Sequence, residues 1–469
     1  MRRTLFVCAL LLTLPLYGRT AAPPLPGGPP PTETVIRMTV RPAPAPKPAL
    51  KYQLLPELRE MNPGNPVQAY SKCFGEQRYF WHNKEVVAKR EKWQTMPLKE
   101  LPLEEMRKWG NVGYNPLRYA DYAARLDTPD WQILLQIKSE GSNLLLPDVQ
   151  PLRELASALK VRFRLEVAER RLDDALATAK TLLALSRHLG EHPTLITNLV
   201  GIAVASITVD TLNEMIQQPR CPNLFWALTS LPHPFIDLRK GLQGERVFLM
   251  ADLALLDHRE AMTDAQLQKA VDHIRQLMKN INVKKDVPNW LNTLAKDERY
   301  IRAARQRLID SGLAEDKVKT FPPSQVVLLD EKLEYEVRRD DAAKVMALPF
   351  WQAEPILHAR RQPKGEREDT LFAGLATSGR RMKLAQVRLE QRLGLLRCVE
   401  ALRLHAAEHG GKLPATLADV KLPLPVDAVT GKLFVYELKG DTAIVRGTPP
   451  PGQENVAAYN VRYEVAIAK

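Results

Sequence analysis

RRLDDALATAKTLLALSRHL (Arg170–Leu189), followed closely by TLITNLVGIAVASITVDTLNEMI (Thr194–Ile216), decides the fold. In the first phrase Leu172, Ala175, Leu176, Ala179, Leu182 and Leu183 recur at the spacing that draws one apolar stripe along a helix. Asp173 and Asp174 stand in its first turn, Arg187 and His188 in its last, each sign matched to the helix dipole. Gly190 and Pro193 close it, because glycine accepts a left-handed cap and proline cannot extend a helix. The second phrase has no charged residue between Glu191 and Asp210, so its helix is expected to be buried on most sides. Residues 152–216 therefore predict a hub of helices at the centre of a mainly α protein.

Composition narrows what surrounds that hub. A chain of 469 residues is long enough for roughly two or three domains. Its 45% hydrophobic and 26% charged residues exclude wholesale disorder. The net charge of +13 is interleaved with carboxylates, as in Arg338-Arg339-Asp340-Asp341 and Lys364–Asp369. That mixing reads as a solvated helical surface, and no nucleic-acid partner is expected.

The N-terminus has the layout of a signal peptide over residues 1–22. Arg2 and Arg3 precede the apolar run Thr4–Gly18, and the small residues Thr20, Ala21 and Ala22 follow. The run is short and carries Pro15, so no stable membrane span is expected after cleavage. Residues 23–50, with PPLPGGPPP and RPAPAPKPA, read as an extended Pro-rich spacer. Beyond Cys8 the cysteines are Cys73, Cys221 and Cys398, widely spaced, with no metal-ligand rhythm and room for at most one disulfide.

Residues 51–370 read as a helical domain of stacked hairpins. Aromatic residues gather at Tyr79-Phe80-Trp81, Trp93, Trp109 and Tyr114, where packing of short helices is a better reading than a ligand groove. Turns are expected at Asn62–Pro66 and at Gly110-Asn111. Further helices are expected over Leu242–His258, Thr263–Ile281 with Thr263 as N-cap, Trp290–Ser311 and Gln325–Leu348. Residues 371–469 read as a long helix to His409, ended by Gly410-Gly411, plus a small antiparallel sheet. Its strands are expected at Leu433–Leu438, Thr442–Val445 and Val461–Ile467, with a hairpin through Lys439-Gly440-Asp441.

Three resemblances follow from these phrases. ERRLDDALATAKTLLALSRHL is similar to one tetratricopeptide repeat, with Ala175 and Ala179 where helices approach closely, and no second copy recurs at a period of about 34 residues. Residues 388–447 resemble the soluble region of major type II secretion pseudopilins through Gly410, Leu413, Pro414, Leu417, Pro425, Asp427, Gly431 and Tyr436. That likeness implies a helix running into a small C-terminal α+β unit with an antiparallel hairpin. The pseudopilin N-terminal cleavage motif and hydrophobic helix have no counterpart here. NPGNPVQAY, LLLPDVQPLRELA, PTLITNLVGIAVA, QQPRCPNLFWALTSLP and HGGKLPATLADV together resemble an exported helical family typical of planctomycete genomes, to which no activity is attached.

Two segments match H-x-x-E-H, a spacing that on a continuous helix lets two histidines hold zinc while the glutamate acts as base. His188-Glu191-His192 contains Gly190 and abuts Pro193; His405-Glu408-His409 ends the long helix, where histidine also suits the dipole. No G-x-S-x-G, phosphate loop or dinucleotide fingerprint occurs. The expectation is an exported, non-catalytic helical scaffold of the periplasm or cell envelope with protein partners, no cofactor and no assigned catalytic or metal residue. The alternative is a zinc-dependent hydrolase using His405, Glu408 and His409.

Overall fold

The computed structural model describes residues 32–468 except 76–77, 258, 281–282, 360–369 and 373–377. The expected signal peptide and the first part of the spacer lie outside these residues. Strand β1 (Thr34–Val40) comes first, then helices α1 (Pro66–Lys72), α2 (Arg78–His82), α3 (Lys84–Trp93), α4 (Leu103–Ala123) and α5 (Leu134–Glu140). Asn65 and Asn83 cap α1 and α3, their side-chain oxygens accepting from Val67 N and Glu85 N at 3.0 Å each. The turn at Asn62–Pro66 is present, whereas α4 runs through Gly110-Asn111 and through Pro116. Packing overrides the local punctuation there: Leu117, Ala120 and Ala123 of the same helix are buried in the core.

Helices α6 (Val149–Ala168), α7 (Leu172–Gly190) and α8 (Leu195–Met215) pack consecutively on one another. Helix α8 is long and apolar enough to cross a membrane by length and composition, yet most of it is packed inside the fold. It is the hub. Gly190 is not the left-handed cap; the left-handed residue in this layer is Arg170, between α6 and α7, at φ 59°. Gly190 stays helical at the end of α7, where a Cβ would meet Ile236 Cδ1 at 3.1 Å, so its small size serves packing.

A second group follows: α9 (Phe225–Thr229), α10 (Arg239–Leu253), α11 (Asp264–Asn280), α12 (Val287–Ala295), α13 (Glu298–Asp310), α14 (Glu315–Thr320), α15 (Pro323–Met346) and α16 (Phe350–Ala359). Thr263 and Gln266 form a reciprocal cap on α11, Thr263 Oγ1 accepting from Gln266 N at 3.3 Å and Gln266 Oε1 from Thr263 N at 2.8 Å. The single helix expected over Trp290–Ser311 is two, because Asp297 breaks it and caps α13 through Arg299 N at 2.9 Å. Leu253, Ile274, Leu277, Ala304, Leu308 and Val326 gather from α10–α15 into a core of their own, together with Leu371 and Phe372.

Helix α17 (Ser378–Glu408) crosses back onto α8 and stops at Gly410 and Gly411, at φ 62° and 83°, with Gly411 N donating to Ala406 O at 2.7 Å. Strands β2 (Val435–Lys439), β3 (Thr442–Arg446) and β4 (Val461–Ile467) follow, and the sheet order is β1-β4-β3-β2. The spacer reading of residues 23–50 is corrected here. Thr34–Val40 pairs in parallel with Val461–Ile467, so the sheet is mixed, not antiparallel. TVIRMTV alternates, with Ile36, Met38 and Val40 buried, a two-residue period hidden between proline-rich stretches. The small sheet shares its core with the helices: Ile36, Val40, Val445 and Val465 belong to the same cluster as Val209 and Leu396. A division at 370/371 therefore does not separate two cores. Cys73, Cys221 and Cys398 are buried free thiols, and burial pushes each up to about 12.

Candidate functional site

Helices α2, α3, α4, α6 and α7 wall a cleft of about 420 Å³. Its apolar surface comes from Phe80, Trp93, Met106, Trp109, Leu117 and Leu165. Trp93, Met106 and Leu165 are held by a small core that also includes Leu101, so this wall is fixed by packing. Trp81, next to Phe80, turns inward instead and donates Nε1–H to Cys73 O at 2.7 Å. The aromatic cluster thus does both things its composition allows. Trp81 packs, while Phe80, Trp93 and Trp109 line the cleft; the side chains of Tyr79 and Tyr114 lie outside the description.

Polar groups close the remaining sides, and most are tied to one another. Arg162 donates from Nη1 and Nη2 to Asp121 Oδ2 and Oδ1 at 2.9 and 2.7 Å, and from Nε to Thr178 Oγ1 at 3.0 Å. Thr181 Oγ1 adds a donor to Asp121 Oδ1 at 2.8 Å. Arg171 pairs with Glu169 at 2.8 Å and Asp174 at 2.6 Å, and Arg107 pairs with Glu169 as well. Arg125 donates to Asp121 O at 2.7 Å. Arg90 is buried with its guanidinium 5.4 and 5.3 Å from the ring centroids of Phe80 and Trp81, and burial lowers its pKa.

Glu166 is the exception. It lines the cleft from α6 with its side chain 8% exposed. Oε1 lies 3.8 Å from Arg162 Nε, and Oε2 is buried with no hydrogen-bond partner. Burial pushes its carboxyl up to about 7, against the pull of Arg162 and Thr178. Nothing in the sequence singled it out. RFRLEVAER alternates charged with apolar residues, so no helical stripe distinguishes an inward glutamate from a solvated one.

No protein-family model, curated protein or solved structure matches this chain. The cleft is read from its own residues.

The two H-x-x-E-H segments go to different places. His188 Nδ1 shares a hydrogen bond with Tyr70 Oη at 2.9 Å, and His192 Nδ1 shares one with Thr194 Oγ1 at 2.9 Å while its ring meets Trp131 edge-on at 4.8 Å. Burial holds the pair down at about 4 and about 3, so both are neutral packing residues. His405 and His409 stack ring on ring at 3.9 Å, and His409 Nδ1 donates to its own helix at His405 O, 2.8 Å away. Burial, and then His409, lowers the pKa of His405. Among the described residues no three His, Cys, Asp or Glu side chains converge on a point where a metal could sit.

Proposed function

We propose that this chain is an exported, non-catalytic helical scaffold of the cell envelope that binds protein partners, with the α2–α4/α6–α7 cleft as a contact. The observation that carries the reading is the cleft itself: rigid aromatic walls, a volume in the range of binding pockets, and rim charges spent on one another. Such a site gains free energy by burying a partner's side chain against Trp93 and Trp109. Leu134, Leu135, Leu145 and Met250 add solvent-facing apolar surface on the same molecule. Export rests on the basic-then-apolar layout of residues 1–22. The tetratricopeptide-like reading of α7–α8 rests on Ala175 and Ala179, both fully buried.

The experiment is site-specific photocrosslinking in cells that export the protein. A photoreactive residue at Val161, on the cleft wall, is expected to give a discrete protein adduct that the same residue at exposed Lys319 does not. Equal labelling at both positions, or none at Val161, contradicts the reading.

The second reading, a zinc-dependent hydrolase on His405, Glu408 and His409, is favoured only by the side-by-side imidazoles. Elemental analysis decides it. One zinc per chain, lost when both histidines become glutamine, establishes the metal site that the hydrolase reading requires; no stoichiometric zinc removes that reading.

A further inference from the structure

We infer that the cleft recognises an ammonium group carried on an apolar stem, the side chain of a lysine on a protein partner, with Glu166 as its counter-charge. The inference rests on the cleft being a partner contact and adds what that contact selects. Three observations lead to it. Glu166 Oε2 is a buried acceptor without a hydrogen-bond donor, one of nine such side-chain atoms among the described residues and the one whose residue lines the cleft. The cations around it make their close hydrogen bonds with other groups: Arg162, which approaches Glu166 Oε1 only at 3.8 Å, with Asp121 and Thr178, Arg171 and Arg107 with Glu169, and Arg125 with the carbonyl of Asp121. Burial still outweighs the pull of Arg162 and that of Arg171, holding the carboxyl up at about 7.

The walls select the stem. Phe80, Trp93, Trp109, Met106 and Leu165 line the same cleft as Glu166, an apolar surface on which a chain of methylenes can pack while its charged end meets the carboxylate. The carboxylate selects the head. Arg162 approaches Oε1, and Oε2 is the oxygen without a hydrogen-bond partner. A compact ammonium needs one such point, whereas the planar fork of a guanidinium is best matched by two parallel oxygens. Anionic stems and apolar stems without a donor leave Oε2 as it is, and a neutral donor supplies a hydrogen bond but no counter-charge.

Calorimetric titration of the whole protein with N-acetyl-Phe-Lys-amide and with its norleucine counterpart tests this, since norleucine keeps the stem and removes the charge. The lysine dipeptide is expected to bind wild type at least tenfold more tightly than the norleucine one, and Glu166→Gln is expected to erase the difference. Equal affinities for the two dipeptides on wild type overturn the inference while leaving the cleft as a contact. No binding of either overturns both. A free amine, phenethylammonium, that binds tighter than the lysine dipeptide overturns the protein source. The wild-type comparison stands even if the variant does not fold.

Discussion

Gly201 sits where α8 meets α7 so closely that a Cβ would come within 2.8 Å of Ser186 O, and Ser186 Oγ already donates to Gly201 O at 2.7 Å. Backbone cannot give way as a flexible side chain can, so Gly201→Val is expected to cost about 1–3 kcal/mol, read from urea melts. The titratable residues of the core make a second expectation. His188 and His192 have folded pKa values of about 4 and about 3, below the unfolded value near 6.5. The unfolded chain therefore takes up protons first as pH falls, and stability is full above about 6.5 and drains away toward pH 4 and below. At about 1.4 kcal/mol per unit, His188 contributes on the order of 3 kcal/mol to that loss. Glu166 runs the other way. Its folded value of about 7 exceeds the unfolded one, so the stability it supplies below pH 4.5 is lost as pH rises through 7. Glu166→Gln is accordingly expected to be more stable than wild type at pH 8 and to lose that advantage by pH 4.5. Equal melts of the two proteins at pH 8 would contradict a carboxylate whose burial outweighs the pull of Arg162.

At the scale of elements, the joint between β1, the loop after α8 and α17 depends on one buried cation. Arg403 donates to Arg41 O at 3.0 Å, Cys221 O at 2.8 Å, Pro222 O at 3.3 Å and Glu400 Oε1 at 2.7 Å. Glu400 in turn accepts from Leu224 N through Oε2 at 2.8 Å. Arg403→Met leaves three carbonyls without that donor and a buried carboxylate without its charge partner, and is expected to cost about 3–5 kcal/mol in a denaturant melt. A loss below about 1 kcal/mol would mean the joint is held by apolar packing alone. What the sequence made legible follows the same division. The helices α7, α8 and α17 and strand β4 were readable because each has a clean period or a sharp stop, as at Gly410-Gly411. Strand β1 was not, because its partner lies more than 420 residues away and proline-rich flanks mask its seven residues. The turn misread at Gly110-Asn111 failed for a related reason, since only the packing of Leu117 and Ala120 keeps α4 going. Of the cleft, the aromatic walls were visible as a cluster, but Glu166 gains its meaning from α4 and α7 closing over it.

For the whole molecule, the main core takes β1, the α6–α8 layer, α17 and the other three strands, and the α10–α15 group builds a second core in the chain between α8 and α17. The cleft lies on the flank of the first core, to which α2–α4 contribute Phe80, Val86, Leu117 and Ala120, while Trp93 and Met106 pack with Leu165 of α6 in a small core of their own. Its shape depends on that first core being one cooperative unit that includes the N-terminal strand. Native-state hydrogen exchange followed by mass spectrometry tests this most directly, because amides that open only with the whole core exchange at its slow rate. Peptides covering Thr34–Val40 are expected to exchange as slowly as those from α8 and α17, and more slowly than the proline-rich residues 41–50 beside them. Exchange of Thr34–Val40 as fast as residues 41–50 would contradict the account and return that stretch to a spacer.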